Sequence, residues 1–124
     1  MKENVVKEKT FTFAVRIVKL NKYLCADKKE YTLSKQLLRS GTSVGAMVTE
    51  AEHAQTKKDF LHKMAIAQKE INETIYWLNL LKESDYLSTE QHESISMDAV
   101  EIIRLITSIL KSAKKNIAIA KANG

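Results

Sequence analysis

The chain has 124 residues, enough for one hydrophobic core of its own, and no shift in composition marks a second domain. It has no proline, and glycine occurs only at Gly41, Gly45 and Gly124, so the turn residues that sandwiches, barrels and βαβ units need are missing and the expected fold class is all-α. Lys and Arg number 20 against 15 acids, giving a formal charge of +5 and a pI near 9.3; this balance favours an anionic partner such as RNA, DNA or an acidic protein without requiring one.

No stretch approaches the roughly 20 apolar residues that span a bilayer, and MKENVVKEKT contains no hydrophobic leader region, so a cytoplasmic location is expected. Cys25 has no second cysteine to pair with and no histidine or acid immediately beside it, which makes it an ordinary buried or half-buried thiol.

In chain order, the first amphipathic helix is expected from about Phe11 to Cys25. Phe13, Ile17, Leu20 and Leu24 form its inner stripe, Ala14 and Val18 widen it, and Arg16, Lys19 and Lys22 face away. Residues 1–10 mix Lys2, Lys7 and Lys9 with Glu3 and Glu8, and fraying is expected there. The short polar link Ala26 to Glu30 calls for an antiparallel neighbour.

A second helix starts at a Thr32 or Ser34 cap, and Leu33, Leu37, Gly41, Val44, Val48 and Ala51 follow a three-four spacing that marks a buried seam. Gly41 and Gly45 each weaken a helix by on the order of 1 kcal/mol relative to alanine. Together with Ser40, Thr42, Ser43 and Ala46 they point to a close helix crossing or a kink. A phosphate-cradling loop would need a preceding strand and the G-x-x-x-x-G-K-[ST] pattern, and neither is present.

Thr56-Lys57-Lys58-Asp59 resembles a capping box and opens a third helix. Its inner stripe is Phe60, Met64, Ala67, Ile71, Ile75 (or Thr74), Leu78 and Leu81, flanked by Tyr76 and Trp77, each of which needs a polar partner or water at one end. Ser88-Thr89-Glu90-Gln91 caps a fourth helix with Ile95, Ala99, Ile102, Ile106, Ile109, Ala113, Ile117 and Ala120 in a three-four pattern. A second apolar line, Ile103 and Leu110 with Val100 nearby, exceeds what one bundle core requires and predicts an oligomer.

The run Tyr31-x-Leu33-x-x-Gln36-Leu37-x-Arg39-Ser40-x-x-Ser43-Val44 is followed by Glu50, Asp59-Phe60, Ala65-Ile66-Ala67, Glu70, Glu73 and Leu78. Over about residues 11–88 this resembles the four-helix bundle proteins encoded inside intervening sequences of bacterial large-subunit rRNA genes. Relatives of that family include the accessory variability determinant of diversity-generating retroelements. The resemblance implies an up-down four-helix bundle, a homopentamer with a central channel, nucleic-acid association in the retroelement relatives, and no established enzymatic activity. It singles out Tyr31, Gln36, Arg39, Ser40, Ser43, Glu50 and Phe60. Where the family usually has Pro and then Asn this chain has Gly45 and Met47, and Glu50-Ala51 replaces Glu-Gly; all of these are compatible with a helix.

Glu50-x-x-His53 and Asp59-x-x-His62 bring to mind di-iron bundles, which take Glu-x-x-His from two helices and a further glutamate from each of the other two. Asp59 is already the cap partner, Glu50 and His53 flank the seam, and no acid lies between Phe11 and Cys25 to face them, so structural or surface roles are expected. His92 has no pocket partner for acid or base work, and Ser40 and Ser43 have no histidine at helical spacing. No catalytic residue, metal or cofactor is therefore expected.

The nucleic-acid signal is distributed over Arg16, Lys19 and Lys22, then Lys35 and Arg39, then the acid-free run Lys111, Lys114, Lys115 and Lys121. A solvated face explains each cluster alone, but repetition in a symmetric oligomer turns it into a ring of like charge. The expected role is a non-catalytic oligomeric bundle that binds structured RNA or a ribonucleoprotein. The alternatives are a protein-interaction scaffold and, more remotely, an oxidative di-metal bundle.

Overall fold

The computed structural model describes residues 2–124. Among them are four helices, α1 Lys2–Ala26, α2 Leu33–Glu52, α3 Lys57–Glu83 and α4 Thr89–Asn123, and no strand. Helix α1 packs on α2 and α4, and α3 packs on the same two, so each helix touches two others around one core. Lys7 near the start of α1 meets Glu52 at the end of α2 at 2.8 Å, while Asn21 near the end of α1 donates to the Ser34 carbonyl at the start of α2 at 3.1 Å. Lys63 of α3 meets Glu50 of α2 at 3.1 Å, and the Gln68 amide of α3 donates to the Thr107 hydroxyl of α4 at 3.1 Å.

The core takes the expected stripes. Phe13, Ile17 and Leu24 meet Leu37, Val44 and Val48 from α2, Met64, Ile71, Leu78 and Leu81 from α3, and Ile95, Ile102 and Ile106 from α4, all buried. Each such side chain contributes about 1.5–3 kcal/mol through removal from water. No helix among the described residues is long and apolar enough to cross a membrane.

Two helix starts follow their caps as expected. The Thr56 hydroxyl accepts from the Asp59 amide at 3.0 Å, and Ser88 and Gln91 form a reciprocal capping box with bonds of 2.9 and 3.1 Å. Helix α3 closes with Asp85 at a positive φ of 67° and the Tyr86 amide bonded to the Leu81 carbonyl at 2.9 Å, a Schellman arrangement that holds aspartate where glycine is usual.

Several boundaries and faces differ from expectation. Helix α1 begins at Lys2 rather than near Phe11, so residues 2–10 of the segment expected to fray are helical, residue 1 lying outside the described residues, and Val6 is only 1% exposed. Val6, Thr10, Phe13 and Ile17 continue the core spacing backward, with the Thr10 hydroxyl satisfied by the Lys7 carbonyl at 3.1 Å.

At the start of α2 neither Thr32 nor Ser34 supplies the cap. The Glu30 carboxylate, 7% exposed, accepts from the amides of Thr32, Leu33 and Ser34 at 3.0, 2.8 and 2.7 Å. The Ser34 hydroxyl donates back to the Glu30 carbonyl at 2.8 Å.

In α3, Thr74, the alternative left open to Ile75, occupies the buried stripe, and Phe60 is half-buried rather than fully part of it. In α4, Leu110 belongs to the core rather than to an outer line, whereas Ala113 and Ile117 are half-buried and Ala120 is exposed.

Candidate nucleic-acid interface

All 15 acids of the chain lie at or before Glu101, and 15 of the 20 basic residues do too, so residues 1–101 are balanced. The excess of +5 is carried by Arg104, Lys111, Lys114, Lys115 and Lys121, which follow the last acid. Sequence reading named four of these five and passed over Arg104. Its signal is the spacing of seven residues to Lys111, which returns to the same helix face.

The two arginines named as nucleic-acid candidates are tied inside the molecule. Arg16 on α1 bonds Asp98 at 2.5 Å and the Ser94 hydroxyl at 2.9 Å, both on α4. Arg39 on α2 reaches Glu70 at 3.1 Å and also bonds Glu73, both on α3. Glu73 in turn accepts from the Trp77 indole at 3.3 Å, which satisfies that ring's polar end. Glu70 is buried, so the Arg39 guanidinium is what balances its charge.

Other lysines are paired in the same way. The bond from Lys7 holds Glu52 below the ordinary carboxylate pKa, and the bond from Lys9 to Glu101 raises that lysine.

Lys19, Lys22, Lys35, Lys111, Lys114, Lys115 and Lys121 are exposed and make no ion pair among the described residues. The first two lie on α1 and Lys35 on the first turn of α2, separate from the α4 group. At 100° per residue, Arg104, Lys111, Lys114, Lys115 and Lys121 fall within an arc of about 120° on α4. Ile106, Ile109, Ala113 and Ile117 occupy the side turned to the bundle.

The residues singled out by resemblance are mostly structural. Ser40 is fully buried and accepts from the Thr74 hydroxyl at 3.0 Å; Ser43 donates to the Arg39 carbonyl at 2.6 Å. Tyr31 and Gln36 are exposed near the start of α2. Gly41 and Gly45 lie where α1 crosses: a Cβ at 41 would stand 2.8 Å from the Ile17 side chain, and one at 45 would stand 3.3 Å from the Thr10 carbonyl oxygen. The glycine-rich stretch is a helix crossing.

Glu50 pairs with Lys63, and His53 and His62 are exposed. No three of His, Cys, Asp and Glu among the described residues cluster so as to hold a metal. His92 bonds the Asn79 side chain at 2.7 Å, linking α3 to α4. Near Cys25, the Ser34 hydroxyl is 3.6 Å from the sulfur.

Four packed helices, with Arg16 and Arg39 paired internally and a final helix faced by Arg104 and four lysines, define an all-α bundle protein with one cationic end. The chain belongs to the 23S rRNA-intervening sequence protein family, whose model matches residues 2–108. It is also similar to the crystal structure of a protein with unknown function from the S23 ribosomal protein family of Bacteroides thetaiotaomicron. The two share 56% identity with a TM-score of 0.89, over 90% of this chain and 99% of that one. A search of curated proteins finds no match.

Proposed function

We propose that the chain is a non-catalytic, antiparallel up-down four-helix bundle of the cytoplasm that assembles with copies of itself and binds structured RNA, or an RNA-protein complex, by charge and shape. The observation that carries this reading is the contrast between cations: Arg16 and Arg39 are spent on internal pairs, while the seven candidate lysines, like Lys28, Lys29, Lys57, Lys58 and Lys69, are exposed and make none among the described residues, and the four on α4 carry most of the net charge. Lysine acts as a point charge on phosphate and carries no base readout, so binding of this kind is set by backbone charge and duplex shape. The family name, which refers to 23S rRNA, and the ribosomal family name of the similar crystal structure support an RNA partner. Assembly, as the homopentamer that the family resemblance implies, multiplies each patch into a ring.

The test is retention of RNA as salt is varied. Binding at low salt with a log-log slope of several units supports the reading; no retention even at about 50 mM salt leaves the protein-interaction scaffold in its place. One observation favours that second reading. Phe11, Val15 and Val18 fall on one outward stripe of α1, and Phe11 is 69% exposed.

A further inference from the structure

We infer that α4 beyond Leu110 is a polyanion-binding arm added to the family bundle, and that its lysine face lies along the phosphate backbone of a duplex RNA segment. This rests on the RNA reading above and says where the contact is made.

Three boundaries coincide on α4. The match to the family stops at residue 108, the last buried residue is Leu110, and the first unpaired lysine of the run is Lys111. The helix nevertheless continues to Asn123, about 20 Å further at 1.5 Å per residue. A helix of that length gains little from propensity alone, and only Ala113 and Ile117 of it are half-buried. Its packing therefore does not explain its composition.

Its charge does. Residues 1–101 are balanced, so a long-range field attracting a polyanion has its source after Glu101. Lys111, Lys114, Lys115 and Lys121 share one face over about 15 Å of helix axis, with no acid on either side of them to neutralise the face. A cavity of about 420 Å³ lined by Glu3, Lys57, Phe60, Ile109, Ala113 and Asn116 lies on the other side of the helix, toward the bundle, so the acid that reaches this part of α4, Glu3, stands off the lysine side.

The same side chains argue against a membrane surface. An interfacial helix opposes its lysines with large apolar groups that enter the acyl region. Here that side offers mainly Ala113, Ala120 and a half-buried Ile117, and Ile119 is the one large exposed apolar residue of the arm. Phosphate backbone needs only the point charges.

The experiment titrates a 20-base-pair RNA duplex of arbitrary sequence into the full-length protein across salt concentrations. Three proteins are compared: wild type, an arm variant carrying Lys111→Gln, Lys114→Gln, Lys115→Gln and Lys121→Gln, and a control carrying Lys28→Gln, Lys58→Gln, Lys69→Gln and Lys82→Gln. Glutamine keeps helix propensity, and circular dichroism checks that helicity is retained. Four lost phosphate contacts lower the magnitude of the log-log slope by about three to four and weaken binding at least tenfold at low salt, while the control stays within about threefold of wild type.

Equal losses in the arm and control variants, or an unchanged slope in the arm variant, overturn the inference while leaving RNA binding standing. Failure of wild type to bind the duplex removes both. Arm-dependent binding to polyglutamate or to phosphatidylserine vesicles, with the duplex ignored, also overturns it and identifies an acidic protein or a membrane as the partner.

Discussion

Gly41 on α2 and Ile17 on α1 approach so closely that a methyl group at 41 would stand 2.8 Å from two carbons of the isoleucine. Alanine at 41 would gain about 1 kcal/mol of helix propensity, but an overpacked crossing costs about 1–3 kcal/mol. We expect Gly41→Ala to lower stability by up to about 2 kcal/mol in urea unfolding. Adding Ile17→Ala opens the space the methyl group needs, so the double variant should lose less than the sum of the two single losses. Additive losses would mean that the crossing has slack. At Gly45 the nearest obstacle is the Thr10 carbonyl at 3.3 Å, and Gly45→Ala should stay within about 1 kcal/mol of wild type.

Glu30 gives the fold a pH dependence. Burial by itself would raise its pKa, but the three amides it caps and the Ser34 hydroxyl outweigh that and hold it below the ordinary value of 4.5. A depressed folded pKa contributes stability that is present above the unfolded value and is lost as pH falls through the folded one. Glu30→Gln should therefore cost about 1–2 kcal/mol at pH 7, the scale of a lost helix cap. The gap between the two proteins should close as the pH is taken below the usual carboxylate range. Parallel unfolding curves at neutral and acid pH check this; a gap that does not change with pH would exclude the ionised carboxylate as the cap.

Thr56 and Ser88 could be recognised as caps because a hydroxyl at a fixed offset from the next polar residue is a local rule. Glu30 could not, because its reach depends on a connection that turns back through Lys29 at a positive φ of 55°. The start of α1 was obscured for a different reason: Val6 and Thr10 keep the core spacing, but lysines and glutamates surround them and only one of the pair is apolar. The lysine run on α4 was plain in sequence, whereas the pairing of Arg39 with Glu70, thirty-one residues away, required the tertiary fold. Both arginines looked like free cations for that reason.

That pairing separates family resemblance from binding. Arg39 neutralises Glu70 beneath it and bonds Glu73 beside it, so Arg39→Met leaves a buried carboxylate without its counter-charge. Breaking a fully buried pair costs about 3–5 kcal/mol; the guanidinium is half-exposed to water, and we expect about 1–3 kcal/mol in this case. Replacing Glu70 with leucine in the same protein should recover most of the loss. Affinity for duplex RNA should stay within about threefold of wild type in the folded double variant, since this arginine faces α3 rather than a ligand. A loss comparable to that of the α4 lysine variant would move the contact to the Arg39 face.

The outer face of α4 changes character along its length. Met97 and Val100 are 73% and 41% exposed, and at 100° per residue they lie on the same side as Arg104, Lys111 and Lys115 further along. If copies of the chain meet through the apolar part, the lysine faces emerge together just past the contact, and one RNA can engage several at once. Met97→Glu with Val100→Glu changes only exposed positions, so the subunit core should be retained while like charges oppose each other at the contact. Light scattering should give a multiple of 14.1 kDa for wild type and the single-chain mass for the variant. Affinity for duplex RNA should fall by tenfold or more although every lysine is present, because binding several linked sites multiplies affinity by about 10²–10⁴. A variant that remains assembled would place the subunit contact on another face, and a monomer with undiminished affinity would show that a single arm suffices.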